Sequence, residues 1–314
     1  MSEEIGFLMM TYGSPETPED IEGYLTNIRR GRPPGEELLE DFQQRYQKIG
    51  GSPLNEITEQ QAEAVAEHWE ELDDLSVRPN VGMRYWHPYI QETVQKMTDE
   101  GIRHAVGLIM SPQYSPILMK GYEQQMQEAL EEVENAPQVD LIKEWWNQPL
   151  YHKAVAGRIN QALDDYPEER RNHVRLLLTA HSIPKRTYEK DPGYIDQLKQ
   201  TAEEIARHVD HSHWEFAYQS AGHTKEEWLK PDMTDLFPGM VEDGYEDVLI
   251  APFQFLADHL EILYDIDVAA KKQAEEAGLN FRRMPSLNTY PPFIRAIANV
   301  CHQHRQDEMT GVSS

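Results

Sequence analysis

The chain of 314 residues contains a single cysteine, Cys301. One thiol excludes a disulfide framework, a thiolate zinc cage and a cysteine-held iron–sulfur cluster. Positive charge is also scarce: 29 Lys and Arg stand against 55 Asp and Glu, a formal net charge of −26. At that balance nothing offsets phosphate repulsion, so nucleic acid and anionic membrane surfaces are poor partners. The acidity itself reads as a solubility device suited to a salty cytoplasm. No apolar run approaches membrane-spanning length. Glu3 and Glu4 ahead of the first apolar run are the reverse of a signal peptide. Neither Gly50-Gly51-Ser52 nor Ser220-Ala221-Gly222-His223-Thr224 matches a phosphate loop or a dinucleotide fingerprint. A G-x-S-x-G nucleophile elbow is missing too, which counts against an esterase. These absences predict a cytoplasmic protein with no nucleic-acid partner, no membrane insertion and no bound nucleotide.

What is present is an alternation of strands and helices. Apolar runs at Ile5–Tyr12, Val77–Tyr85, His104–Ser111 and Val139–Trp145 read as strands. A second set follows at Val174–Ala180, Trp214–Gln219, Val248–Phe253 and Asn280–Met284. Helical patterns fill the intervals, including Glu36–Ile49 closed by Gly50-Gly51. Thr58 with Gln61 has the spacing of a capping box opening a helix to about Asp74. Four strands in each half predict an α/β fold of two Rossmann-like domains, each a four-stranded parallel sheet flanked by helices, with a cleft between them. The boundary falls between residues 146 and 172. It divides the chain into 1–155 and 156–314, with the final helix free to pack back on the first domain.

The stretch Phe255–Asp267 concentrates the chemistry. At 100° per residue, Leu256, Leu260, Leu263 and Tyr264 share one helix face, and Asp258, Glu261 and Asp265 gather opposite. A row of carboxylates repels itself; it reads either as a solvated acidic face or as one that a cation visits. The helix follows the run Asp247–Phe253, and open α/β sheets place ligands beyond the carboxyl ends of their strands. His181 stands at another such strand end, as a possible ligand or as a loop histidine bonded to backbone. His181 and Glu261 together would supply only two strong ligands. That is too few for a closed structural site but suited to a metal held briefly and passed on. Imidazole and carboxylate without sulfur fit Fe²⁺ or Zn²⁺. His259 is expected to point elsewhere. Arg29, Arg30 and Arg32 form the strongest local positive charge, read either as a fork for carboxylates or phosphates or as a loop balancing nearby acids. Arg45 and Tyr46 lie on the next helix.

In order along the chain, six motifs resemble the ferrochelatase family. They are Met10-Thr-Tyr-Gly-Ser-Pro, Tyr24-Leu-Thr-Asn-Ile-Arg-Arg-Gly-Arg, Arg45-Tyr46 with Gly50-Gly-Ser-Pro-Leu, Ala180-His-Ser-Ile-Pro, Tyr218-Gln-Ser with Trp228-Leu, and Phe255–Asp265. The resemblance spans nearly the whole chain. It is greatest to the soluble Gram-positive-type enzymes that insert iron into coproporphyrin III, which carry a tyrosine at the position of Tyr12 and lack membrane extensions and iron–sulfur cysteines. By resemblance, His181 and Glu261 are the catalytic and metal-contacting pair on one side of a porphyrin. Tyr12 approaches the metal from the other side. Arg29, Arg45, Tyr46, Ser52 and Tyr122 contact the porphyrin and its propionates. Two positions depart from the family pattern. Ala269 stands where the acidic ladder usually continues, which implies one inner metal position and no well-occupied outer one. Leu25 stands at a position that is aromatic in the family.

The chemistry implied is the entry of a divalent metal as two pyrrole protons leave. Net charge is unchanged, so no cofactor is expected; Fe²⁺ is a substrate, and ions such as Zn²⁺ are substitutes. The partners expected are a porphyrin and iron only, on a monomer. Alternatives are a protoporphyrin IX ferrochelatase, a sirohydrochlorin-type cobalt chelatase and a non-catalytic tetrapyrrole carrier. The cobalt enzymes carry His-Gly-Ser after the first strand, where this chain has Tyr12-Gly13-Ser14.

Overall fold

The computed structural model describes residues 3–222 and 226–310. His223 and Thr224 of the second glycine-containing stretch thus lie outside the described residues. The chain divides into two compact units, Met1–Gln148 with Asn288–Ser314, and Pro149–Leu287.

The first unit opens with β1 (Glu3–Thr11), in which Phe7, Leu8, Met9 and Met10 are fully buried. Such a run without polar alternation is what a strand covered on both faces requires. Three helices follow: α1 (Ile21–Ile28), α2 (Glu36–Ile49) and α3 (Leu54–Leu72). Then come β2 (Leu75–Met83), α4 (Ile90–Asp99), β3 (His104–Ile109), α5 (Lys120–Glu132) and β4 (Gln138–Ile142). All pairings are parallel, in the order β2-β1-β3-β4. Helix α2 stops as expected, because Gly50 takes φ 77°, a conformation that costs glycine no Cβ clash. The capping box expected at Thr58 is not there. Helix α3 starts earlier, at Leu54 after Pro53, and the Thr58 hydroxyl donates to Leu54 O at 2.7 Å from inside the helix. Proline has no N–H to lose at a helix start, and that outweighed the Thr58–Gln61 spacing.

The second unit runs through α6 (Pro149–Asp164), α7 (Glu168–Arg171), β5 (Arg175–His181), α8 (Lys185–Lys190), α9 (Pro192–Ala206) and β6 (Trp214–Gln219). It continues with α10 (Met233–Glu242), β7 (Asp247–Ala251), a π-helix (Glu261–Ala270), α11 (Lys271–Ala277) and β8 (Asn280–Arg283). This sheet is again parallel, in the order β6-β5-β7-β8, and repeats the connectivity of the first. Its core joins Leu177, Val248 and Ile250 to Phe237 and Met240 of α10 and to Ile262 and Ile266. Helix α10 was not expected from the sequence. Its buried Met233, Phe237 and Met240 keep helical spacing, and Asp232 caps it by accepting from Thr234 N at 3.0 Å.

The chain then returns to the first unit as α12 (Pro291–Thr310), which packs on α3. His302 Nδ1 lies 3.0 Å from Asp73 Oδ2 just past the end of α3. The division therefore lies at 148/149 rather than 155/156. The expected boundary would have cut α6, whose Tyr151 hydroxyl donates to Phe253 O at 2.7 Å. Among the described residues no helix is long and apolar enough to cross a membrane.

Candidate functional site

In the second unit, β5 ends at His181. Its backbone N–H donates to Gln254 Oε1 at 2.8 Å, and the Gln254 amide in turn donates to the Tyr194 hydroxyl. The loop after β7 is thus tied to the end of β5. The His181 ring sits among Trp228 and Phe255, with both centroids at 6.3 Å. Nδ1 lies against the Ser182 carbonyl. A carbonyl only accepts, so the Nδ1 proton is fixed there and Nε2 presents its lone pair. That lone pair faces Glu261 Oε2 at 3.4 Å, with 31% and 38% of the two side chains exposed. Two potential ligand atoms thus face one spot that is open to an incoming cation.

His259, expected to point elsewhere, instead joins this pair. Its Nδ1 donates to Ala257 O at 2.9 Å, leaving Nε2 at 4.0 Å from Glu261 Oε2. Alternation along one helix misjudged it, because His259 precedes the helix and its backbone is not helical. The same error placed Asp258 on the acidic face. Asp258 turns away, accepting from Ser286 Oγ at 2.6 Å and lying 3.4 Å from Arg283 Nη2. The turns of Glu261–Ala270 are π rather than α, with i→i+5 hydrogen bonds, a rare form that is frequent at functional sites. Widening the turn moves the buried stripe to Ile262, Ile266 and Ala270. Leu263 and Tyr264, expected in the apolar face, are half-buried instead. Glu261 and Asp265 remain one turn apart, both half-exposed, with Ala269 next in line. Among the described residues no three His, Cys, Asp or Glu side chains form a metal cage.

The first unit carries the other predicted residues. Tyr12 follows β1, is 40% exposed and packs on Tyr85 with centroids 4.5 Å apart. Its turn is held from two sides. Asn55 takes Ser14 N at 3.0 Å and gives to Ser14 O at 2.8 Å, and the Tyr24 hydroxyl donates to Gly13 O at 3.2 Å. Gly13 has φ 83°, and a Cβ there would come within 3.0 Å of Met83 Cβ, so only glycine fits. Tyr46 is buried, its hydroxyl 3.1 Å from Ser14 Oγ, so it also braces this turn. Arg29 is exposed at the end of α1, where Arg30 and Gly31 take φ 57° and 82°; its Nε donates to Arg32 O at 3.3 Å. Arg45 pairs with Asp41 at 2.8 Å. Ser52 Oγ accepts Leu54 N at 3.4 Å at the start of α3. Tyr122 is buried beneath Arg84, whose guanidinium carbon lies 5.2 Å from its ring, and burial pushes the phenol well above its usual range. Arg84 was not singled out in the sequence. It lies between Tyr85 and Tyr122, against Gly121, where a Cβ would come within 2.0 Å of Nη2.

The ferrochelatase family model matches residues 4–305. The coproporphyrin III ferrochelatase of Anoxybacillus flavithermus is 37% identical over 98% of this chain and 99% of its own length. The coproporphyrin III ferrochelatase of Geobacillus kaustophilus is 38% identical over 94% of each chain. Among solved structures, SirB from Bacillus subtilis with Fe³⁺ superposes with a TM-score of 0.61 at 12% identity, covering 99% of this chain and 98% of that one. At that identity the superposition speaks for the fold alone.

Proposed function

The chain belongs to the ferrochelatase family, and on that footing we propose that it inserts Fe²⁺ into coproporphyrin III to give coproheme. The observation that carries the mechanism is His181 Nε2 facing Glu261 Oε2 at 3.4 Å. A free-base porphyrin must lose two pyrrole protons as the metal enters its plane. His181, with Nδ1–H already committed to Ser182 O, takes a proton at Nε2. Glu261 stabilises the resulting imidazolium and draws the cation toward the same spot.

A flat macrocycle shields its nitrogens, and bending it exposes their lone pairs at the expense of binding energy gathered elsewhere on the substrate. Arg29 and Arg45 supply that energy by holding propionates through charge-assisted hydrogen bonds. Among the described residues, Arg29, Arg30 and Arg32 have no carboxylate partner, in a chain where most arginines do. No internal carboxylate competes for their guanidinium groups, whereas Arg45 would exchange Asp41 for a propionate. Ser52 and Tyr122 complete the porphyrin contacts, Tyr46 braces the turn that presents Tyr12, and Tyr12 approaches the metal. The exchange of M²⁺ for two protons transfers no electrons, so it needs no redox cofactor. The reading carries with it a cytoplasmic monomer whose ligands are porphyrin and iron. The test is to mix protein, free-base coproporphyrin III and Fe²⁺ anaerobically. The free-base absorption bands should collapse into those of the iron complex at a rate proportional to enzyme, and unchanged bands would refute the assignment.

A further inference from the structure

The loop between β7 and the π-helix carries His259 and leads directly into Glu261. Phe255 N donates to Pro252 O at 3.1 Å, and the Gln254 side chain reaches His181 N. Those contacts fix the start of the loop. Its end is held locally by His259, whose Nδ1 donates to Ala257 O and whose carbonyl accepts Ile262 N and Leu263 N, and from a distance by a side chain that the mechanism has not used, Arg283 at the end of β8. Its Nε and Nη2 donate to the two oxygens of Asp267 at 2.7 and 2.9 Å. Nη1 donates to Met284 O at 3.0 Å and to Ser286 Oγ at 2.9 Å. Nη2 also lies 3.4 Å from Asp258 Oδ1, which accepts from Ser286 Oγ at 2.6 Å. The Arg283 side chain is only 13% exposed. One planar fork therefore grips a carboxylate on each side of Glu261: Asp258 just before His259, and Asp267 further along the π-helix.

We propose that Arg283 is a positioning residue for metal insertion, which acts by holding Asp258 and Asp267 together and so setting the placement of His259 and Glu261. The inference rests on reading the His181–Glu261 pair as the metal- and proton-handling site. Without the guanidinium, Asp258 and Asp267 lose their common cation in a segment that already carries Glu261 and Asp265. The carboxylates then repel, and the loop end moves away from His181. Lysine keeps the charge but not the fork, and a single ammonium does not bond Asp267 through both oxygens while also reaching Asp258, Ser286 and Met284 O. Displacement of a reacting group by about 1 Å costs on the order of 100-fold in rate.

The experiment measures anaerobic Fe²⁺ insertion into coproporphyrin III by Arg283→Gln and Arg283→Lys, well below each variant's Tm. Porphyrin affinity is titrated separately by absorbance without metal. The expected result is a kcat lowered by about 10–100-fold in both variants, with porphyrin affinity within about twofold of wild type. On a Glu261→Gln background, Arg283→Gln should cost less than about threefold more, because both changes act through one group. A kcat within about twofold of wild type, or a full repeat of the loss on the Glu261→Gln background, overturns the proposal. So does a parallel fall in porphyrin affinity, which marks a general collapse of the unit. Should Arg283→Gln not fold, Ser286→Ala decides. It removes the hydroxyl that bonds Asp258 and leaves the Asp267 fork in place, and it should lower kcat by about threefold at unchanged porphyrin affinity. Wild-type kcat in Ser286→Ala would then overturn the proposal. If the wild type itself inserts no metal, the ferrochelatase assignment has failed and this inference falls with it. Normal insertion by both wild type and variants defeats this inference alone.

Discussion

The ends of β1 and β5 occupy the same place in two sheets of the same strand order, yet they are finished for different work. Each turn carries a serine with a proline one or two residues beyond it, Tyr12-Gly13-Ser14-Pro15 and His181-Ser182-Ile183-Pro184. In each, a side-chain amide from elsewhere in the unit clamps the backbone: Asn55 on Ser14, and Gln254 on His181. The scaffold is common to both, and the chemistry lies in the ring that each clamp presents. The first presents a phenol packed at a tilt against Tyr85. The second presents an imidazole whose free nitrogen faces a carboxylate. Imidazole is the side chain that exchanges protons near neutrality, so the β5 end should govern the chemical step and the β1 end the handling of substrate.

The sharpest way to break that division is to truncate each ring. His181→Ala should lower the rate of metal insertion by about 10²–10⁴-fold, the usual contribution of a positioned base, while porphyrin binding stays nearly intact. A rate above about a tenth of wild type would remove the general-base role. Tyr12→Phe keeps the ring and its packing on Tyr85, so it should cost far less. Next in size is Glu261→Gln, which keeps shape and loses charge, and which should impair insertion at every ionic strength. Asp265→Asn serves as its control, because a steering charge is screened over about 10 Å at 0.1 M salt. Its defect should appear in dilute buffer and fade as salt rises. Initial rates across a salt series separate the two, and equal salt-independent defects would make Asp265 an inner ligand.

At the first unit's arginines the effect should fall on specificity. Coproporphyrin carries four propionates and protoporphyrin two, so Arg29→Ala should shrink the preference between them by about tenfold in kcat/KM, the worth of one charge-assisted bond. The smallest effect lies away from both strand ends, where α12 meets α3. Burial raises the Asp73 carboxyl, but hydrogen bonds from His302 and Trp69 outweigh it and hold the group below its usual value. A folded-state value below the unfolded one stabilises the protein above the unfolded value, about pH 4, and that contribution disappears as pH falls through the folded value. Asp73→Asn should therefore lower Tm by about 2–4 °C at pH 7 for each kcal/mol lost. The gap to wild type should close in acid, with kcat unchanged throughout.

The comparison of strand ends was legible in the sequence to an uneven degree. Apolar runs ending in His181 and Tyr12 announce two buried strands and their exits, because a strand covered on both faces leaves no other pattern. The His181–Glu261 pairing follows from two such exits in neighbouring strands of one sheet. His259 and Asp258 were misread for a single reason. The 100° rule was extended backward across residues that are not helical and forward across turns that are π rather than α. Nothing in Phe255–Asp267 alone signals that Asp258 is already taken, since its partners Arg283 and Ser286 lie beyond α11. Arg84 was invisible for a related reason: its place is set by the missing side chain of Gly121, a contact between two separate loops and helices.

The most direct test of the central assignment is the ratio of kcat/KM for anaerobic Fe²⁺ insertion into coproporphyrin III and into protoporphyrin IX, measured side by side on the wild-type protein. The account predicts that coproporphyrin III is preferred by about tenfold or more, as its extra propionates engage arginines without carboxylate partners. Equal values, or a preference for protoporphyrin IX, would contradict it.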